Sequence, residues 1–431
     1  MRALRRFSYL AVAWLLVPPS ALAVLGSAVL ARFFYKSVEK PRLVWGSDPI
    51  INNRYWSQAM RQAGYESETF TVSFYPSISN RAEWNEILME KFGRLPLPGK
   101  LVLAFCLSLF RYDVFFFGYN GYFIGATPIR KLQALAFRIA RKKTVLIPYG
   151  ADYFVYRRIK GTTLTHALLL SYPDHARRQR QIADQLDYWT RYADVVIPGM
   201  MGPDGSGRWD VLAPSSLTID TEKWRPTGRR SDANGINAPV VVVHAPNHRG
   251  FKGSEFVIDA VGRLQKEGLR VELRLLERLQ NDVVRRVLCN EADILIEQLI
   301  ATGHGFNAIE GMAAGLPVVS NLEDTQYTLP FRRWSFLNEC PIASASPETV
   351  VDVLRQLVTR PDIRRQLADA SRAYAEKYHS IEAAQFLFIS VLDKVAGRPV
   401  DLLNLYHPLK GTFPADRGTI EHPLRDNKIV Q

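Results

Sequence analysis

Short apolar runs alternate along the chain with longer segments in which apolar and polar residues recur at helical spacing. In the first half these runs are RLVWG (42–46), DVFFFGY (113–119), TVLIP (144–148) and DVVIPG (194–199). Helical patterns lie between them, including RYWSQAMRQAG, which stops at Gly64, and RKLQALAFRIARK (130–142). Apolar runs separated by helices are typical of a parallel sheet covered on both faces. The first half therefore predicts a Rossmann-like domain over 42–220.

A second block repeats this alternation. Strands are predicted at PVVVVHAP, RVELRLL, DILIEQL and PVVSN, with helices between them and after them up to residue 395. The intervening segment 221–239 is rich in Gly, Pro, Asn and charge, as expected of a linker. A chain of 431 residues is long enough for two such domains. We expect a second Rossmann-like domain over 240–395, followed by a polar, proline-containing tail at 396–431.

The N-terminus carries a hydrophobic segment. No charged residue occurs from Ser8 to Ala31, a run of 24 residues, and a membrane-spanning helix needs about 20. A cleaved signal peptide is the alternative, because arginines precede the run and Ala21-Leu22-Ala23 resembles a cleavage site. We expect residues 1–41 to form a membrane segment.

The charges and prolines of this segment leave its topology open. Basic residues flank it on both sides, whereas cytoplasmic flanks alone are normally basic. Pro18-Pro19 lies in the middle of the run, and proline bends or breaks a helix. A re-entrant hairpin that enters and leaves on one face fits this pattern, and so does a single kinked transmembrane anchor.

The net charge of +13 favours anionic partners such as nucleotides, phosphates or an anionic membrane. The sequence has no aromatic RNA-binding motif, zinc-finger spacing or dense lysine run, so nucleic acid is not the expected partner. Three widely spaced cysteines do not suggest a disulfide framework or a zinc site, and they fit a reducing compartment. No histidine or carboxylate cluster has metal-ligand spacing, and we expect neither a metal ion nor a cofactor.

The segment TGHGFNAIEGMAAGLPVVSN (302–321) contains a glycine-rich turn that leads into a short helix. Backbone amides of Gly305, Phe306 and Asn307 at the helix N-terminus would form an anion site for a diphosphate. Glu310, one turn further on, would accept two hydrogen bonds from a ribose diol. On pattern alone, an ordinary strand-to-helix turn with a solvent-facing glutamate fits equally well.

A second polar loop follows the first strand of the second domain, in VVVHAPNHRGFKGSEFVIDAVGRL (241–264). Arg249 and Lys252 at the carboxyl end of a strand suit the β-phosphate of a leaving nucleotide, and Ser254 would cap the next helix. Solvated loop charges are the alternative. Among the histidines, His248 is the best catalytic candidate, because it adjoins Arg249 at the expected mouth of a cleft.

Together these two segments resemble the signature region of the group-1, GT-B glycosyltransferases, many of which are retaining. That family has two Rossmann-like domains facing a cleft, and its donor is a nucleotide-diphosphate sugar. The resemblance implies that Glu310 binds the ribose and that Arg249 and Lys252 bind the diphosphate. The family's first acidic residue, which often contacts the donor sugar, falls on Thr302 here. Glu297 lies five residues too early to replace it directly.

The resemblance extends more thinly into the first domain. IPYGAD (147–152) occupies the place of a His-Gly-x-x-Asp-type loop that faces the sugar in many relatives, with Tyr149 at the histidine position. Asp152 is a candidate for the acceptor side, and a helix cap is the alternative role. Gly46, Ser47 and Asp48, directly after the first strand, are candidates for a loop that approaches the donor phosphates.

These observations predict a glycosyltransferase that moves a sugar from a nucleotide-diphosphate donor to a membrane-associated acceptor, either lipid-linked or polysaccharide. The resemblance implies retention at the anomeric carbon. The membrane segment would place the protein at the cytoplasmic face of the inner membrane. Two alternatives remain open: a nucleotide-sugar epimerase of the same fold, and a non-catalytic scaffold in a polysaccharide-assembly complex.

Overall fold

Two parallel α/β domains make up the protein. The computed structural model describes residues 17–35, 38–76, 79–150, 152–198, 204–214, 216–227, 232–411, 413 and 417–429. In the first domain a six-stranded sheet has the order β3-β2-β1-β4-β5-β6. Its strands are β1 Leu43–Trp45, β2 Ser67–Thr71, β3 Glu86–Ile87, β4 Val114–Phe117, β5 Lys143–Leu146 and β6 Val195–Val196. Its helices are α1 Val17–Phe33, α2 Ile51–Gln62, α3 Leu97–Arg111, α4 Gln133–Ile139, α5 Thr162–Ser171, α6 Pro173–Arg177 and α7 Gln179–Tyr192.

The second domain contains a five-stranded parallel sheet in the order β11-β10-β9-β7-β8. The strands are β7 Val240–His244, β8 Val271–Leu275, β9 Ile294–Gln298, β10 Val318–Ser320 and β11 Ala343–Ser344. The helices are α8 Arg249–Lys252, α9 Ser254–Lys266, α10 Asn281–Asn290, α11 Phe306–Ala313, α12 Thr325–Arg333, α13 Phe336–Glu339, α14 Val350–Thr359 and α15 Pro361–His379. Helix α16, Ile381–Val395, and a hairpin of β12 Leu424–Arg425 and β13 Lys428–Ile429 complete the chain.

This arrangement confirms the predicted GT-B-type architecture of two Rossmann-like domains. All eight strands expected from apolar runs are present, because such runs are buried on both faces of a parallel sheet; VFFF of β4 and ILIEQ of β9 are buried throughout. The sequence missed β2, whose Ser67, Thr69 and Thr71 are buried although they are polar. It also missed α5.

The hydrophobic N-terminal segment begins, in the described part of the chain, with α1. Pro18 and Pro19 lie in the first described turn of this helix. Helix α1 packs along α3 and α4 of the first domain. Among the residues described, none of the helices combines the length and apolar character needed to cross a membrane. Residues 1–16 of the predicted membrane segment lie outside the described ranges.

The chain crosses between the domains twice, and the two crossings touch. The Ile219 amide donates to the His379 carbonyl at 2.8 Å, and His379 Nδ1 lies 3.0 Å from the Leu217 carbonyl oxygen. After the second crossing α16 packs on α2 of the first domain, where Gln385 Nε2 donates to the Ala59 carbonyl. Part of the predicted linker is fixed to the second domain, because Arg372 Nη1 donates to carbonyls at 221 and 224.

The segment after residue 395 differs from the polar tail expected. Leu402, Tyr406 and Phe413 are buried, and the rings of Tyr406 and Phe413 lie 5.0 Å apart. In the terminal hairpin Asn427 is buried and its side-chain amide donates to the Cys340 and Ile342 carbonyls. The few apolar residues of this segment therefore dock it on the folded domains.

Candidate functional site

A cavity of about 440 Å³ lies between the two domains. It opens at the carboxyl ends of the strands, at the point where the loops after β7 and β9 diverge, which is where open α/β sheets bind ligands. We call it the central cavity. The first domain lines it with Pro148, Tyr149, Gly150, Tyr153, Phe154, Leu168 and Tyr172, and the second with Asn247, His248, Phe251, Lys252, Gln298, Gly305 and Phe306.

Lys252 reaches the central cavity as half of a buried ion pair. Its ammonium group contacts Glu297, and it donates to Gln298 Oε1 at 2.9 Å. The Lys252 side chain is 10% exposed and that of Glu297 is fully buried. Removing either partner of such a pair leaves an uncompensated buried charge. Glu297, which the motif spacing set aside, is therefore the residue that holds the predicted diphosphate-binding lysine.

The same carboxylate organises the glycine-rich turn. Glu297 Oε2 accepts a hydrogen bond from the Gly305 amide at 3.2 Å and another from Ser320 Oγ at 3.2 Å. A side chain at position 305 would come within 2.9 Å of Glu297 Oε1, so a larger residue there would displace this carboxylate. The prediction that the Gly305 amide faces the ligand is wrong in this structure, because that amide donates to Glu297.

The N-terminus of α11 faces the central cavity with its first residue. Phe306 lines the cavity, and its ring lies 6.2 Å from that of Tyr55 in the opposite domain. Asn307 Nδ2 donates to Glu310 Oε2 at 3.0 Å. Asn307 Oδ1 is buried and has no hydrogen-bond partner among the described residues. Buried polar atoms without a partner are uncommon in folded proteins.

Glu310 is buried, so the alternative of a solvent-facing glutamate is wrong. It accepts hydrogen bonds from Asn281 Nδ2 at 2.8 Å and from Asn307 Nδ2. Burial raises the pKa of Glu310 to about 7, against the smaller opposing effect of the two amides. Asn281 also lines a narrow crevice between the domains with Arg54 and Lys223. The carboxyl group is thus held by two amides beside an interdomain opening.

Arg249 and Lys252, the two cationic candidates, lie at different places in the structure. Arg249 is paired on the surface, with Nε 2.9 Å from Glu255 Oε1 and Nη1 3.1 Å from Glu277 Oε2. It lines a second interdomain cavity of about 1080 Å³, and it is not among the residues lining the central cavity. The two neighbouring carboxylates account for this position.

Helix α5 separates the two cavities by packing on α8, where Ser171 Oγ accepts the Phe251 amide at 3.0 Å. His248 does line the central cavity, and its ring lies 4.7 Å from that of Tyr172. Burial lowers the pKa of His248, with a further effect from Lys252, which favours the neutral imidazole.

Thr302 lies on the far side of the glycine-rich turn. It is buried, and its hydroxyl lies 3.3 Å from both Asn321 Oδ1 and Thr163 Oγ1. Asn321 and Thr163 line the larger cavity, and Thr302 is not among the residues lining the central one. The hydroxyl therefore serves a contact between the domains. Ser254, expected as a helix cap, instead bonds His244 Nε2 at 2.8 Å, and Gly253 occupies the cap position.

In the first domain Asp152 fixes two loops. Its carboxylate accepts hydrogen bonds from the amides of Tyr119 at 2.7 Å, Tyr149 at 3.1 Å and Gly150 at 3.1 Å. Burial raises its pKa to about 7, and the nearby Asp48 contributes to the rise. With three backbone donors already bound, Asp152 clamps the loop after β5 to the loop after β4, and it caps no helix.

Asp48 belongs to the loop that the sequence predicted to approach the donor phosphates, where it was given no separate catalytic role. It lies three residues after β1, and Asn120 Nδ2 lies 3.5 Å from its Oδ2. Burial raises its pKa to about 6. Asn120 also donates to the hydroxyl of Tyr149, which lines the central cavity. An acid directly after the first strand was the available signal.

Gly46 and Ser47 shape the loop that carries Asp48. A side chain at Gly46 would collide with the Phe70 carbonyl oxygen at 2.0 Å. Ser47 is buried, and its hydroxyl accepts the Phe123 amide at 3.2 Å. Both residues are engaged with the first domain's own loops.

The described residues contain no group of three His, Cys, Asp or Glu side chains placed to hold a metal ion. Comparison with known proteins finds no matching family model and no matching curated sequence.

Solved structures do match. WaaG, a glycosyltransferase involved in lipopolysaccharide biosynthesis, is 15% identical and covers 80% of this chain and 98% of its own, with a TM-score of 0.39. MnaA of S. aureus with UDP is 13% identical, covering 84% and 98%, at 0.45. The UDP-GlcNAc 2-epimerase from Neisseria meningitidis is 12% identical, covering 82% and 99%, at 0.41. Scores of this size do not establish a shared activity.

Proposed function

We propose that this protein is a glycosyltransferase that binds a nucleotide-diphosphate sugar in the central cavity. The observation that carries the proposal is the pair formed by Glu310 and the unpartnered Asn307 Oδ1 at the N-terminus of α11. A carboxylate beside a free acceptor suits the two hydroxyl donors of a ribose. The helix N-terminus beside them favours an anion.

The diphosphate would lie between the first turn of α11 and Lys252. An ammonium group has three donors, and Glu297 with Gln298 accepts two of them, which leaves one for a phosphate oxygen. Negative charge that develops on the leaving diphosphate would be stabilised by this donor and by the helix amides. Because the Lys252 charge is already balanced by Glu297, the amides of α11 would contribute more to stabilising the diphosphate than the sequence suggested.

The acceptor would enter from the side of the first domain. Asp48, with Tyr149 and Asn120 beside it, would accept a hydrogen bond from the attacking hydroxyl, and neutral His248 would line the sugar-binding region. The new bond joins the acceptor oxygen to the anomeric carbon on the face from which the diphosphate departs. The bond to the diphosphate breaks, and the hydroxyl proton passes to Asp48. We propose retention of the anomeric configuration from the motif resemblance, and a lipid-linked or polysaccharide acceptor at the cytoplasmic face of the inner membrane.

The first experiment measures thermal shifts of the purified protein with nucleotide sugars that carry uracil, guanine, cytosine or thymine bases. Stabilisation by one base class is the expected result, since a ligand that binds only the folded state raises its stability. No shift with any of them would favour a scaffold. The stabilising donor is then incubated alone, and release of an epimerised sugar nucleotide would replace the transferase proposal by an epimerase.

A further inference from the structure

Two helices of the first domain expose apolar residues in place of polar ones. On α1 and the residue after it these are Leu22, Val29, Leu30, Phe33 and Phe34, and on α3 they are Leu103, Leu107 and Phe110. Phe33 is 79% exposed and Leu22 is 74% exposed. The rings of Phe34 and Phe110 lie 6.3 Å apart, so the two stripes join. We call these eight residues the α1/α3 face.

The inner side of α1 explains why its outer side is free. Val24, Ala28 and Ala31 are buried, at the spacing of one helical face, and α1 packs with them along α3 and α4. Arg32 is the single charged residue in α1. A helix on the surface of a protein in water normally carries polar residues on its outer side. The outer side of α1 therefore has the composition of a buried surface.

The neighbouring helix α4 indicates which partner covers this face. Residues 130–143, which include α4, contain six cations and no carboxylate. Lys131, Arg138 and Arg141 are exposed, and within the described ranges no acidic side chain forms an ion pair with them. An apolar stripe beside unpaired cations complements an anionic lipid surface, because acyl chains cover the stripe and headgroups meet the cations.

The chain before α1 continues the same chemistry. Residues 8–16 are uncharged and mostly apolar, and Arg2, Arg5 and Arg6 precede them. This segment joins α1 at Val17, the end from which the exposed stripe starts. A protein partner of acidic character would complement the cations alone, whereas a bilayer also accounts for the aromatic and aliphatic residues.

We propose that the α1/α3 face, with the cations of α4, rests on an anionic bilayer so that α1 and α3 lie in the plane of the membrane surface. The first domain then faces the lipid with the side that carries α1. This attachment does not require the donor cavity, so its failure and that of the proposed activity are separable.

The test measures co-sedimentation of the full-length protein with vesicles of phosphatidylcholine, alone or mixed with phosphatidylglycerol. We expect binding to be at least tenfold tighter on the mixed vesicles, given about fivefold for each cation near the surface. The variant Phe33→Glu/Leu107→Glu should bind roughly tenfold more weakly, because two apolar contacts are replaced by charges. Arg138→Glu/Arg141→Glu should remove the preference for phosphatidylglycerol.

The matched control is Leu409→Glu, since Leu409 is 89% exposed and lies outside the face. This control variant should bind the vesicles like the unaltered protein. All variants should keep the melting temperature of the unaltered protein, because the substituted side chains are exposed. Unchanged binding of Phe33→Glu/Leu107→Glu would overturn the proposal and assign attachment to residues 1–16. No binding to either kind of vesicle would also overturn the proposal. So would a dimer, seen in sedimentation velocity, that dissociates in the variant Phe33→Glu/Leu107→Glu.

Discussion

Behind the lining of the central cavity, the two domains use buried acidic residues in different ways. In the second domain Glu297 is paired with a lysine and Glu310 with two side-chain amides. In the first domain Asp152 binds three backbone amides, and Asp48 has one distant amide contact at 3.5 Å. A cation and a helix N-terminus therefore lie on the second-domain side. Under the proposed function, the anionic donor would bind on the second-domain side and the hydroxyl-bearing acceptor on the other.

The largest effect is expected from Lys252→Met, which tests the ion pair of the second domain. The change leaves Glu297 buried without its cation, and we expect a loss of about 3–5 kcal/mol in the free energy of unfolding, measured by chemical denaturation. In Lys252→Met/Glu297→Gln much of the stability should return, while donor affinity stays low because the phosphate contact is absent.

Arg249→Ala serves as the control for this pair, because Arg249 is exposed and does not line the central cavity. Its denaturation midpoint and donor affinity should both stay near those of the unaltered protein. Donor affinity that falls with Arg249→Ala and survives the double substitution would place the diphosphate in the larger cavity.

A second prediction concerns Glu310→Gln, which should weaken donor binding by about 10- to 100-fold through two hydrogen bonds to a charged acceptor. Because the pKa of Glu310 is raised to about 7, the free carboxyl group is largely protonated at pH 6. Donor affinity of the unaltered protein should therefore rise from pH 6 to pH 8, and that of Glu310→Gln should not change. Isothermal titration with a nucleotide sugar measures both, because its diphosphate diester does not titrate in this range.

The same raised pKa fixes the sign of the effect on stability. A carboxyl group whose pKa is higher in the folded state stabilises the fold below its unfolded pKa, and this contribution is lost as the pH rises to about 7. Relative to Glu310→Gln, the unaltered protein should lose stability between about pH 4.5 and pH 7. An opposite trend would show that Glu310 is ionised in the free protein.

A further prediction separates the two acids of the first domain. Asp48→Asn should lower kcat by about 10²-fold with little change in donor affinity, because it touches the acceptor alone. Asp152→Asn should mainly lower the melting temperature, since an amide replaces one of the oxygens that accept the Tyr119, Tyr149 and Gly150 amides. A loss of kcat without loss of stability in Asp152→Asn would return the acceptor role to Asp152.

The sequence predicted the architecture because apolar runs mark buried parallel strands, and it failed where buried residues are polar. In β2 Ser67 Oγ accepts the indole N–H of Trp45, and Thr69 binds Asn85, so hydrogen bonds replace apolar contacts. The packing of α1 on the first domain could not be predicted either, because an apolar run does not show which side of a helix packs on the domain.

The candidate site was likewise only partly predictable from the sequence. Glu310 and the turn before it follow a local spacing that the sequence displays directly. The pairing of Lys252 with Glu297 joins residues 45 positions apart, and it depends on β7 and β9 lying side by side. At the two positions that depart from the family pattern, the side chains make their own hydrogen bonds within the fold. Thr302 bonds Asn321 and Thr163, and Tyr149 receives a hydrogen bond from Asn120.

The contact between the two interdomain crossings has a mechanical consequence. Because Ile219 and His379 are hydrogen-bonded, the two crossings are tied together, and a rotation of one domain relative to the other would have its pivot at this contact. The ring of His304, in the glycine-rich turn, lies 6.2 Å from that of His379. A rotation at this contact would therefore bear directly on the turn that precedes α11.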